Sequence, residues 1–99
     1  MEYIIMLHPT DKTDILDANL SKLGMYTKRV ENEVCGIVYL YESKKDAERA
    51  LVLSFVPIKH YIRFTRSNFG TSFGYLNGPE FTTAENGAIY ATMMEAKSK

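Results

Sequence analysis

Eight residues are of types that together could do recognition chemistry: Lys28, Lys59, Tyr61, Arg63, Arg66, Phe69, Phe73 and Tyr75. Basic side chains interleaved with aromatic rings suit a single-stranded nucleic acid, whose backbone takes the cations and whose bases stack on the rings for about 1–3 kcal/mol each. The stretch FTRSNFGTSFGYLNGPEF (64–81) concentrates such residues among Gly70, Gly74 and Gly78, and every Lys, Arg, Asp or Glu lying between Arg49 and Glu80 is basic. The same residues have a plainer reading. They can form a long loop that crosses a sheet, is pinned there by Phe69, Phe73 and Tyr75, and carries the segment behind it onto an open face.

Signals for catalysis are weaker. GTSFGYLNG has glycine spacing but lacks the Lys-Ser/Thr of a phosphate loop. His8 and His60 fall at or in strand-like runs with no acid or cysteine at ligand spacing, so His60 is expected half-buried and hydrogen-bonded rather than catalytic or metal-bound. Asp11, Asp14 and Asp17 form a helical stripe that a helix dipole explains as well as a hard cation would. Cys35 lies in an apolar run, where a buried thiol is inert. No Ser-His-Asp or Cys-His set can be assembled by spacing, so the sequence points to no catalytic residues, no metal and no cofactor.

The 99 residues, 45% apolar and 24% charged, are the composition of one ordinary globular domain. Twelve basic residues against twelve acidic ones give net charge zero, so any basic surface must be local. A lone cysteine allows no intramolecular disulfide and fits a reducing compartment, the cytoplasm. The start, MEYIIMLHPTDK, has an apolar run too short for a signal peptide or a membrane span, so neither targeting nor insertion is expected.

The elements that must position these residues follow from periodicity. YIIMLH (3–8) is a strand ended by Pro9. Thr10 and Asp11 can cap a helix whose stripe is Ile15, Leu16, Leu20 and Leu23 and which Gly24 stops. MYTKRV (25–30) and VCGIVYLY (34–41) make a hairpin across ENE. Ser43 and Asp46 cap a second helix through Ala47, Ala50 and Leu51. IKHYIRF (58–64) alternates as a fourth strand, with Ile58, His60, Ile62 and Phe64 on one face and Lys59, Tyr61 and Arg63 on the other. This order, β-α-β-β-α-β over 1–66, predicts an α+β domain of the ferredoxin-like, split βαβ kind with an antiparallel sheet. A Gly/aromatic loop over 67–82 and a third helix over 83–97, opened by a Thr82/Glu85 capping box, are added to it. Strands 3–8 and 34–41 are apolar on both faces, so the sheet face away from the first two helices must be covered or must be a functional patch.

YIIMLHPTDKTDILDANLSKLG followed by VCGIVYLYESKKDAERAL resembles an RNA-recognition motif over about residues 3–66. The resemblance implies bases stacked on the sheet face. Matching Tyr41 and Ala47 to that family's last strand aromatic and helix alanine puts Gly36, Val38 and Ile4 at the stacking positions, whereas a register shifted by one exposes Tyr39 and Tyr41. The spacing of KLG, Tyr26, Lys28, VYLY, AE and SFV is also similar to the small bacterial YlbG-type proteins, which implies a bacterial cytoplasmic protein and no mechanism.

Three readings of function follow. The preferred one is a non-enzymatic interaction or regulatory module that self-associates as a homodimer through its sheet face and third helix, with no membrane role. The second binds RNA or single-stranded DNA through the basic and aromatic residues named above. The third is a dimeric α+β barrel enzyme whose apolar pocket is lined by His60 or His8.

Overall fold

The computed structural model describes residues 3–8 and 12–98. Its elements are β1 (Tyr3–Leu7), α1 (Thr13–Leu23), β2 (Lys28–Asn32), β3 (Gly36–Tyr41), α2 (Lys44–Leu53), β4 (Tyr61–Ser67), β5 (Gly70–Tyr75) and α3 (Thr83–Lys97). One five-stranded sheet runs in the order β2-β3-β1-β4-β5, every neighbouring pair antiparallel. The caps proposed for α1, Thr10 and Asp11, lie outside the described residues, as does Pro9. Gly24 ends α1 as expected, its N–H bonding the Leu20 carbonyl. Ser43 accepts from the Asp46 N–H at the start of α2, and Thr82 with Glu85 closes a full capping box on α3.

Two differences from the sequence expectation bear on the site. Residues 58–60 do not extend the fourth strand but form a 3₁₀ turn in which the His60 N–H bonds the Pro57 carbonyl at 3.0 Å. Pairing with β1 begins only at Tyr61, opposite Ile5, so the three preceding residues stand outside the ladder. The second difference is larger. Residues 70–75, read from sequence as loop, are β5, paired residue for residue with β4 from Ile62↔Tyr75 to Ser67↔Gly70. Asn68 and Phe69 make a two-residue turn, and Gly70, at φ +122°, supplies the backbone shape that other residues resist. Glycines at 70 and 74 mask the alternation of Thr71, Phe73 and Tyr75, which is why composition reads as loop.

The tail then folds back along the outer edge of β5. Phe81 N–H bonds the Phe73 carbonyl (2.9 Å), the Asn86 side chain accepts from the Phe73 N–H (3.0 Å), and the Tyr75 N–H reaches the Pro79 carbonyl (3.2 Å). An edge that would otherwise invite a second chain is thereby closed over these residues.

The sheet is buried on both faces. Ile5, Leu7, Tyr39, Tyr41 and Tyr61 pack with Leu16 and Leu20 of α1 and Ala47, Ala50 and Leu51 of α2. Ile4, Met6, Val38, Leu40, Ile62 and Phe73 pack with Ile89, Met93 and Ala96 of α3 and with Phe81. α3 of the same chain therefore occupies the face left open by the first two helices. Residues of Ile, Leu, Val and Phe size each contribute about 1.5–3 kcal/mol when withdrawn from water in this way. Among the described residues no helix is long and apolar enough to cross a membrane.

Candidate interaction surface

Strand pairing decides where the eight sequence-selected residues go, because residues opposite one another share a face. Lys28 lies opposite Leu40, Arg66 follows Ile62 at an even step along β4, and Tyr75 and Phe73 lie opposite Ile62 and Phe64, so these four belong to the α3 face. Tyr61 lies opposite Ile5 and Arg63 is two residues on, so both belong to the α1/α2 face. Lys59 is exposed in the 3₁₀ turn and Phe69 is fully exposed at the hairpin tip. The eight do not converge.

Their environments separate them further. Phe73 is wholly buried and meets Phe64 edge to face at 5.5 Å, and Tyr61 is buried under α2, where burial pushes its phenol up to about 12. Tyr75 packs edge to face on Phe81 at 4.8 Å. Arg63 clips the tail: its Nε donates to the Tyr75 carbonyl at 3.0 Å, one terminal nitrogen donates to Gly78 O at 3.2 Å, and Glu80 lies at 3.7 Å. Arg66 lies over the Phe64 ring, 5.6 Å from its centroid, at the outer end of the hairpin. Of the positions that the RNA-recognition-motif resemblance marks for stacking, Ile4 and Val38 are buried against α3, and Gly36 lies opposite Asn32 at the start of β3. Tyr39 and Tyr41, the alternative pair, are buried on the opposite face.

The best-developed polar cluster was not legible in the sequence. Arg29 grips Asp17 with two bonds (Nε to Oδ1, 2.9 Å; terminal nitrogen to Oδ2, 2.8 Å) and also reaches Glu31 at 2.8 Å. The buried Tyr39 hydroxyl bonds the same Asp17 carboxylate and meets Ser21 Oγ at 2.7 Å. Asp17 and Arg29 are twelve residues apart and on different elements, so no spacing rule could pair them. The bonded Arg29 guanidinium holds the Asp17 carboxyl below its ordinary range, against burial that pushes it up, with the Tyr39 hydroxyl assisting. Each member is satisfied by the others, which makes the cluster a clamp between α1 and the sheet.

A carboxylate whose folded pKa is depressed contributes stability above its unfolded value, near 3.8, and that contribution is lost as pH falls from there toward the folded value. Arg29→Met is expected to cost about 2 kcal/mol at neutral pH, less than a fully buried pair because both side chains are partly wetted. In urea unfolding followed across pH, the gap between wild type and variant should close below pH 3.8. A gap that stays constant in acid would show that the charge pair is not its source.

His60 is buried with Nδ1 3.0 Å from the Met6 carbonyl oxygen, and burial lowers its pKa. Cys35 is buried beside α3, and burial raises its thiol pKa. No group of three His, Cys, Asp or Glu among the described residues could hold a metal.

Exposed apolar side chains are spread over the fold, Val34, Phe69, Tyr90 and Met94 among them, and one run of them lies on the helical layer. Val52, Leu53, Phe55 and Ile58 are 74%, 53%, 85% and 60% exposed, within seven consecutive residues. Leu53 and Phe55 line a groove of about 370 Å³ with Asn19, Lys22 and Leu23 of α1, whose Asn19 amide bonds the Ser54 carbonyl at 3.2 Å. Backbone geometry sets Phe55 there. Val56 N–H bonds the Leu51 carbonyl (2.9 Å) and Phe55 N–H the Val52 carbonyl (3.3 Å), the two bonds of a Schellman ending, while Leu51 and Val56 bury themselves in one cluster. The motif demands a left-handed residue after the cap, ordinarily glycine, and here it is Phe55 at φ +58°.

Comparison with protein-family models, with curated proteins and with solved structures finds no match.

Proposed function

We propose that this chain is a small non-enzymatic interaction module that docks a protein partner through the outer surface of its helical layer, at the groove between the ends of α1 and α2. One observation carries the reading: Phe55 occupies a backbone position where a side chain costs about 1 kcal/mol or more relative to glycine, and it regains little of that by burial, since its ring stands in water. A residue kept against both local preference and solvation is what a contact surface leaves behind. The underlying frame is read as a ferredoxin-like split βαβ unit, β1 to β4 with α1 and α2, extended by β5 and α3. In support of that, β1 and β2 flank β3 while β3 and β4 flank β1, with both helices against one face. We place the module in the cytoplasm, on the strength of its single reduced thiol.

The sheet face and α3, which the sequence suggested as a homodimer contact, pack on one another within a single chain. The helical surface replaces them as the proposed contact. A second reading, nucleic-acid binding, draws on Arg66 over Phe64 with Phe69 exposed at the same hairpin end. A comparative pull-down on immobilised wild type and Phe55→Gly separates the two. Protein retained by the wild type and lost with the variant supports docking at the groove. Retention of RNA that survives Phe55→Gly but disappears with Arg66→Ala and Phe69→Ala would overturn it in favour of the hairpin.

A further inference from the structure

Resting on that reading, we infer that the groove's occupant is an acidic amphipathic helix of another protein. The groove is lined on its apolar side by Leu23, Leu53 and Phe55, with the exposed Val52 next to Leu53 in the chain; it lies between helices and offers no backbone edge for an added strand. An apolar channel of this kind takes anchors spaced one helical turn apart, at i, i+3, i+4 and i+7.

Charge selects the rest. Lys22 forms part of the groove wall. Arg49 stands one turn before Val52 and Leu53 on α2, Lys45 one turn before that, and Lys59 adjoins Ile58; all four cations are exposed. Of the acids nearby, Asp17 is gripped by Arg29 on the sheet side of α1, while Glu48, exposed one turn before Val52, lies 3.8 Å from Lys44. An apolar floor with a basic rim attracts an apolar stripe flanked by Glu or Asp. The same rim disfavours a second copy of this chain. A two-fold contact would bring two copies of the same positively charged rim together.

The test is fluorescence anisotropy of a labelled short peptide with Leu at i, i+3, i+4 and i+7 and Glu at the flanking positions, beside the same peptide with Lys for Glu. Wild type should bind the acidic peptide, more weakly as salt rises, and bind the basic one at least about tenfold less well. Phe55→Gly should lose about tenfold or more in affinity for the acidic peptide while its thermal midpoint stays level or rises, since glycine suits the position. The double charge reversal Lys22→Glu, Arg49→Glu should invert the preference between peptides. Equal affinity for both peptides, or none for the acidic one, overturns the inference. A wild-type dimer in light scattering that Phe55→Gly dissolves also overturns it, naming a second copy as occupant while leaving the docking surface itself intact. If neither peptide binds, no dimer forms and the pull-down is unchanged by Phe55→Gly, the docking reading fails as well.

Discussion

Phe73→Ala lowers the unfolding midpoint by on the order of 20 °C, the consequence of losing about 4 kcal/mol in a domain of this size. The ring is wholly buried between Phe64 and the α3 side of the core, and its own backbone is held by the folded-back tail through Phe81 and Asn86. Truncating it opens a cavity at the junction of β4, β5 and α3, where three elements would have to move together to refill it. Because net stabilities are only about 5–15 kcal/mol, the variant should sit near the edge of folding at body temperature. Differential scanning calorimetry with far-ultraviolet circular dichroism reads the result. A midpoint that hardly moves, together with weakened nucleic-acid retention, would mean that Phe73 is a stacking residue and that the packing described for it is wrong.

Gly36→Ala is the second severe change, expected to cost about 3 kcal/mol or more. Two causes add. The residue sits at φ +83°, a conformation that strains any side chain, and a methyl group there would meet the Leu7 carbonyl oxygen at 2.2 Å. Leu7 is backbone in the central strand, pinned opposite Ile37, so relief requires β1 and β3 to part at that end. Two other glycines serve as controls. Gly70, at φ +122° with nothing near its would-be methyl, should lose only the strain, about 1–2 kcal/mol. Gly87 lies inside α3 with open space around it, and Gly87→Ala should stabilise by about 0.5–1 kcal/mol. Urea midpoints of the three variants give the ranking. If Gly36→Ala proved no worse than Gly70→Ala, the close approach of the β2–β3 turn to Leu7 would be refuted.

The failures of sequence reading have particular causes. Ile15 falls in the apolar stripe of α1 by spacing, yet it is exposed, since helical spacing gives the angle of a side chain and not the extent of the surface packed against it. Residues 70–75 have the composition of a loop because glycines 70 and 74 depress strand propensity, and pairing with β4 overrides that preference. Alternation puts Tyr61 and Arg63 on one face of β4, as the structure has them, but does not say that Tyr61 on this face lies under α2. Phe55 was invisible for a different reason. Its oddity is conformational, and a phenylalanine following a helix looks ordinary until its backbone is seen to be left-handed.

By itself the sequence determined the existence of β1, the β2–β3 hairpin, α1, α2 and α3, and the helix ends at Gly24, Ser43 and Thr82. These depend on interactions a few residues long: the period of apolar residues, a cap that reaches three positions ahead, a glycine that can turn left-handed. It also required that the second sheet face be either covered or a functional patch, because its strands are apolar on both sides. Only the tertiary structure decided that α3 of the same chain provides that covering, that Asp17, Arg29 and Tyr39 meet, and that Val52, Leu53, Phe55 and Ile58 are left outside. Each of these turns on which surfaces reach each other across the folded chain. Periodicity constrains the orientation of a side chain about its own element, and contact depends on where the other elements have come to lie.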